Sequence, residues 1–367
     1  MSQKWPIYAD DLHMHVFPWL GGACGWESES AHLDYLKKFM YGAARPAVAA
    51  KHGYWTSELN VDFRVGKFGR MEWTEEGVDY YRQFMPPSLQ EQTASPEFIL
   101  AQMEHAGVDM AVLQNCKLYG KLNDYFAECV RKYPDRFVGT GEINEFEADN
   151  ESEIAKLRHI VKQLGFNGIF YEAAKFLEIG DPVGFNDKKF DPFWREVSDL
   201  GIAVLWSFSA SKVYMEQMRA FSTWTERFPD ITSVVTMGLC LRPFKEDGKV
   251  KFPRELIDIF KKPNISVEIV YPIQVGPVGW DYPFPEAQQL IKQQYEEFGG
   301  HKLIWGSDMP NVERNCTYKQ SLSYLTEYCE FIDRKDIDLI LGGNIARILK
   351  IRTDIVKTPR AKLADIA

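Results

Sequence analysis

Two histidines stand two residues apart near the start of the chain, in Asp11-Leu12-His13-Met14-His15. On an extended strand, residues i and i+2 project to the same face. Both imidazoles can therefore be offered to one divalent ion, which accepts neutral imidazole and carboxylate together. A second run, Lys302-Leu303-Ile304-Trp305-Gly306-Ser307-Asp308-Met309-Pro310, reads as a buried strand that stops on a carboxylate. If the two strand ends meet, His13, His15 and Asp308 form a two-histidine, one-aspartate cation site. Asp308 could then serve as a third ligand, or as a base working on metal-bound water.

Other groups could complete such a site. Asp11 could orient an imidazole from behind. Glu172 follows Gly168-Ile169-Phe170-Tyr171, and Glu142 ends Val138-Gly139-Thr140-Gly141. Each could bind or bridge an ion, or sit in a cap or a salt bridge. Glu268 falls in the middle of an apolar run, where a buried carboxylate needs a partner. Arg242 offers a fork for a substrate carboxylate or for a surface salt bridge. Ser207, Ser209 and Ser211 read as polar lining. His52 reads as a surface residue, and His32, His105, His159 and His301 as structural or solvated. No phosphate-binding loop of the GxxxxGK[ST] type and no GxSxG nucleophile elbow occurs.

These residues need a scaffold that gathers strand ends. Short apolar runs alternate with amphipathic segments along the chain. Strands are expected over 7–15, 109–114, 137–143, 168–171, 202–206, 232–237, 265–270 and 301–305. Helices are expected over 96–106, with Gly107 as C-cap, and over 122–133, 151–164, 192–200 and 213–228. Asp191 is the expected N-cap of the fourth of these. Eight strands alternating with helices argue for a closed (β/α)₈ barrel, with an open parallel sheet as the alternative. No low-complexity linker cuts the chain, so residues 1–367 read as one domain. The 16–90 stretch, rich in Trp, Tyr, Gly and Pro, reads as an insertion after the first strand. It could act as a lid whose aromatics line a pocket, as a satellite core, or as an oligomer interface.

Composition narrows the function classes. Of 367 residues, 45% are hydrophobic, which suffices for a large core. The net charge of −9, with no long basic run, argues against nucleic acid as a partner. No apolar run approaches the roughly 18 residues of a membrane span. The N-terminal Met1-Ser2-Gln3-Lys4-Trp5-Pro6 lacks a signal-peptide pattern, so a cytoplasmic protein is expected. Six cysteines with no CxxC pair read as free thiols.

The Asp-x-His-x-His opening and the late Trp-Gly-Ser-Asp-Met-Pro resemble the amidohydrolase superfamily, most of all its branch of small-acid hydrolases and nonoxidative decarboxylases. Gly107-Val108-Asp109-Met110-Ala111-Val112-Leu113, Asp191-Pro192-Phe193-Trp194 and Leu341-Gly342-Gly343-Asn344-Ile345-Ala346-Arg347-Ile348-Leu349 carry the same resemblance. It implies a metal-dependent hydrolase or decarboxylase acting on a small carboxylate. One divalent ion is expected, zinc first, with manganese or iron as alternatives. Asp308 and Glu172 are the expected catalytic carboxylates, and Arg242 and Ser207 the expected substrate contacts. Two departures stand out. In the family, strands five and six usually end in histidine; here Ser207 and Met237 stand at those ends. The departures leave two alternatives. One is an accessory subunit with a degenerate site, paired with a homologous amidohydrolase-like chain in a metal-dependent oxygenase or hydrolase. The other is a metal-independent lactonase. A homo-oligomer is the family habit.

Overall fold

A computed structural model describes residues 9–44, 61–208, 212–240, 244–246, 249–270 and 281–351. The first strand, β1 (Asp10–Met14), is buried throughout. The segment after it contains a helix, α1 (Glu29–Ala44), and a small antiparallel sheet of β2 (Asp62–Val65), β3 (Arg70–Glu75) and β4 (Val78–Gln83). The sequence pattern did not announce this sheet. Then follow β5 (Met110–Leu113), β6 (Phe137–Gly139), β7 (Gly141–Glu142), β8 (Gly168–Glu172), β9 (Ala203–Ser207) and β10 (Ser233–Val235). A short hairpin, β11 (Lys245–Glu246) and β12 (Lys249–Val250), precedes β13 (Ile265–Val270) and β14 (Leu303–Gly306).

Two parallel sheets, ordered β1-β5-β6 and β14-β13-β10-β9-β8-β7, make the barrel wall. Only Thr140 separates β6 from β7, so these two are one barrel strand that passes from the first sheet into the second. The other seam is closed by backbone. His15 N–H donates to Met309 O at 2.8 Å, Asp308 N–H donates to His13 O at 2.9 Å, and Met14 bridges Met309 in parallel. Eight strands thus close into the expected ring. Leu12, Val112, Phe170, Leu205, Val234 and Ile304 fill its interior. Ile345, Ile348 and Leu349 from the end of the described chain pack into the same cluster, at the end of the ring opposite the strand tips. Asn344 holds that segment by donating to Gly300 O and Leu303 O, both at 2.8 Å.

Outside the ring, Trp206 of β9 packs against Trp194 and Trp224, with ring centroids 5.3 and 4.7 Å away. These indoles come from the helices Asp191–Leu200 and Tyr214–Arg227, which cover that part of the wall. Asp191 does not cap its helix as expected. It lies inside the first turn and accepts from Arg227 at 2.7 Å, so an ion pair between helices claims its carboxylate.

Candidate metal centre

The strand ends do converge. One donor atom from each of His13, His15 and Asp308 lies within 4.8 Å of the others, and all three residues are buried. His13 Nε2 and His15 Nε2 are 3.1 Å apart. Asp308 Oδ1 lies 3.0 Å from His15 Nε2 and 3.8 Å from His13 Nε2. Such a triangle admits a point about 2 Å from every corner, the bond length zinc makes to imidazole nitrogen and carboxylate oxygen.

Local backbone geometry aims these groups. β1 pairs Asp11 with Ala111 but Met14 with Leu113, so it carries one extra residue over that stretch. Such a bulge re-aims side chains. It allows Leu12 to sit in the interior cluster while the neighbouring His13 also reaches inward. Asp308 has φ +60°, a left-handed conformation that aspartate tolerates better than most residues. Its backbone is anchored to His13 O by the seam, and Asn311 donates to its Oδ1 at 2.8 Å. Asn311 also donates to the Tyr119 hydroxyl at 2.8 Å, and the Tyr119 ring lies 4.6 Å from that of His15.

The far nitrogen of each imidazole is fixed as a donor. His15 Nδ1 lies 2.8 Å from Gln114 O, a carbonyl that can only accept. His13 Nδ1 lies 3.1 and 3.2 Å from the two oxygens of Glu268. Both rings therefore carry their proton on Nδ1 and turn Nε2 toward the shared point, as ligand histidines do. Two Nε2 atoms this close need a proton or a cation between them. The residues present thus fit a divalent ion in donor type and spacing.

The electrostatics agree. Burial alone would depress the basicity of His13, but Glu268 and then Asp308 outweigh it and push the imidazole up to about 9. Burial would raise Asp308, yet the hydrogen bond from His15 and the charge of His13 hold it well below the usual carboxylate range. These carboxylates favour positive charge at His13, which a proton on Nε2 or an ion in its place can supply.

Other expected residues fall elsewhere. Asp11 does not orient an imidazole. Its Oδ1 accepts the backbone N–H groups of His13 and Ser307, both at 2.9 Å, and its Oδ2 accepts the hydroxyls of Ser307 and Tyr318. It pins the first strand to the last. Burial raises its carboxyl to about 6 against those four hydrogen bonds. Glu172 ends β8 at the same mouth but outside the donor triangle, in an ion pair with Lys175. Lys175 also approaches Glu145 at 3.6 Å, and Glu145 accepts from Lys117 at 2.8 Å. Glu142 is buried and lies 3.9 Å from Lys156. Ser207, the β9 partner of Glu172 in register, is buried at the strand tip. Arg242, Ser209, Ser211 and His52 lie outside the described residues. His32 is buried between the carbonyls of Gly22 and Leu118, at 2.9 and 3.1 Å. All six cysteines are free thiols.

A cavity of about 390 Å³ opens among the segments that follow β5, β7 and β8. Trp26 and Tyr35, from the segment between β1 and β5, line it together with Lys117, Lys175, Glu142 and Glu178. Among the described residues, no helix is long and apolar enough to cross a membrane.

A ring of parallel strands with a histidine pair at the first strand tip and an aspartate after the last defines an amidohydrolase-type barrel. The amidohydrolase family pattern matches residues 10–351, and the chain belongs to that family. No curated protein matches it by sequence. Among solved structures, it is similar to a probable 2-pyrone-4,6-dicarboxylic acid hydrolase of Acinetobacter baumannii with citric acid bound (TM-score 0.57, 15% identity, 94% of this chain and 100% of that one). It is also similar to an amidohydrolase from Burkholderia multivorans (TM-score 0.57, 12% identity, 71% and 90%). A third likeness is to 2,6-dihydroxybenzoate decarboxylase from Rhizobium (TM-score 0.51, 15% identity, 71% and 89%). Such identities speak to the fold.

Proposed function

We propose that this chain is a metal-dependent member of its family that hydrolyses or decarboxylates a small carboxylate. The observation that carries the proposal is the convergence of His13 Nε2, His15 Nε2 and Asp308 Oδ1, with both Nδ1 atoms already committed as donors. A divalent ion held there, zinc first and manganese or iron as alternatives, would supply Lewis acidity and a fixed point for a substrate oxygen. The names of two similar structures, a dicarboxylic acid hydrolase and a hydroxybenzoate decarboxylase, support a carboxylate substrate.

The chain's own groups would do the rest. Asp308 is held anionic, which suits it to be the third ligand, and it is the proposed base of the site. Glu172, paired with Lys175 at the mouth, is the candidate for proton exchange with the substrate. Ser207, at the neighbouring strand tip, is a candidate substrate contact, and Arg242 is proposed as the fork for the substrate carboxylate. The deep burial of the centre would exclude bulk water from the reacting atoms.

A second reading rests on Ser207 and Met237, which end β9 or follow β10 without offering an imidazole. Three protein ligands could then serve a structural ion in an accessory subunit that pairs with a homologous chain. The metal-independent lactonase has less support, because it too would need the strand-five and strand-six groups that Ser207 and Met237 replace.

Elemental analysis of the purified chain tests the proposal. One equivalent of metal is expected in the wild type, and none in a His13→Ala/His15→Ala double variant, which should also lose turnover of any substrate found. A wild type free of metal after reconstitution would overturn it. Metal present, with activity restored only by a homologous partner, would select the accessory reading.

A further inference from the structure

Glu268 stands where nothing in the wall of a barrel requires a charge. It lies within β13 and is fully buried, next in register to Ile304 of the interior cluster. Burying a carboxylate is costly unless its partners are excellent. Among the described residues, its hydrogen-bond partners are two. Both oxygens face His13 Nδ1, at 3.1 and 3.2 Å, and Oε2 also accepts the Met237 N–H at 2.6 Å. Met237 has φ +57°, so the chain adopts an uncommon left-handed turn where it offers this amide. Gly306 completes the cradle: a Cβ there would collide with Glu268 Oε1 and press on His13 Cβ. Three strands thus cooperate to hold one carboxylate against the back of one imidazole.

We propose that Glu268 is a positioning residue of the metal centre: it fixes the ring plane and Nδ1 proton of His13, and its negative charge strengthens Nε2 as a ligand donor. This rests on the ion site proposed above. The carboxylate sits behind the ligand, as the partners of metal-bound histidines do, and removal of such a partner typically weakens metal binding 10- to 100-fold. Without Glu268, the His13 ring would be free to rotate or to carry its proton on Nε2, where the ion should bind.

The test uses the metal-free full-length chain and cobalt(II) as probe. Wild type, Glu268→Gln and Glu268→Leu are titrated in competition with a chromophoric chelator, and the visible cobalt spectrum is recorded. Glutamine can still accept from Met237 and His13 through one oxygen, so it removes charge while keeping shape. We expect affinity to fall about 10- to 100-fold in Glu268→Gln, further in Glu268→Leu, with an altered cobalt spectrum in both. Melting of the metal-free proteins is measured alongside, since a merely structural role would lower the melting temperature and leave the spectrum unmoved. If Glu268→Leu does not fold, Glu268→Gln carries the test. Wild-type affinity and spectrum in Glu268→Gln would overturn the role of Glu268 and leave the ion site standing. A folded wild type that takes up no cobalt would overturn both.

Discussion

At the scale of single residues, spacing was legible and partnership was not. His13 and His15 could be read as a pair because a two-residue step on a strand fixes their common direction, and they meet at 3.1 Å. Asp308 could be read because an apolar run that ends on a carboxylate places that group at a strand tip. Glu268 could be read only as a buried acid in need of a partner, since the histidine that supplies one lies 255 positions away. Asp11 was expected behind an imidazole and instead gathers backbone amides and hydroxyls from the last strand and the helix after it. Glu178, on the wall of the cavity, gives a pH test. Burial raises its carboxyl from an ordinary 4.5 to about 7. Between those values the folded chain keeps a proton that the unfolded chain has released. The group therefore favours folding most below the lower value, and its contribution is lost as pH rises through the upper one. Glu178→Gln should gain on the wild type in urea midpoint as pH climbs from about 5 to about 8. Parallel pH profiles for the two proteins would contradict this.

At the scale of elements, most strands and the helices of the first repeats fell within a few residues of expectation. The 265–270 strand and the 96–106 helix matched in full. The second of these ends on Gly107 at φ +84°, the C-cap expected from the sequence, and starts on Ser95, an N-cap not among those expected. The three-stranded sheet of the insertion was missed. Its outer strand, Val78–Gln83, is exposed along much of its length, so no alternation of apolar and polar residues marks it. The extra residue in β1 was equally hidden, because a bulge is visible only against a partner strand. The end of β14 depends on a missing side chain. Gly306→Ala would drive a methyl group into Glu268. It should weaken cobalt binding by about tenfold or more, as removal of the supporting carboxylate does. The same chelator competition measures it, and undiminished affinity would show that Glu268 can shift aside without consequence.

At the scale of the whole molecule, alternation of strands and helices foretold a barrel, but its closure depends on contacts that no local pattern encodes. The seam is a few backbone hydrogen bonds between residues 13–15 and 308–309, reinforced by Asp11. The terminal motif, which the sequence offers only as a family likeness, closes the base of the barrel, because Ile345, Ile348 and Leu349 seat in the ring. Leu349 is fully buried, and Leu349→Ala should cost about 2–5 kcal/mol. Chemical denaturation would read this as a lower midpoint with an unchanged slope. A loss under about 1 kcal/mol would mean that the seat can collapse around the gap. Among the described residues, the base of the ring is filled by apolar side chains. Toward the strand tips, Trp26 and Tyr35 line a cavity together with Lys117, Lys175, Glu142 and Glu178. Variation at Trp26 or Tyr35 would reshape that cavity, whose lining includes none of His13, His15 and Asp308.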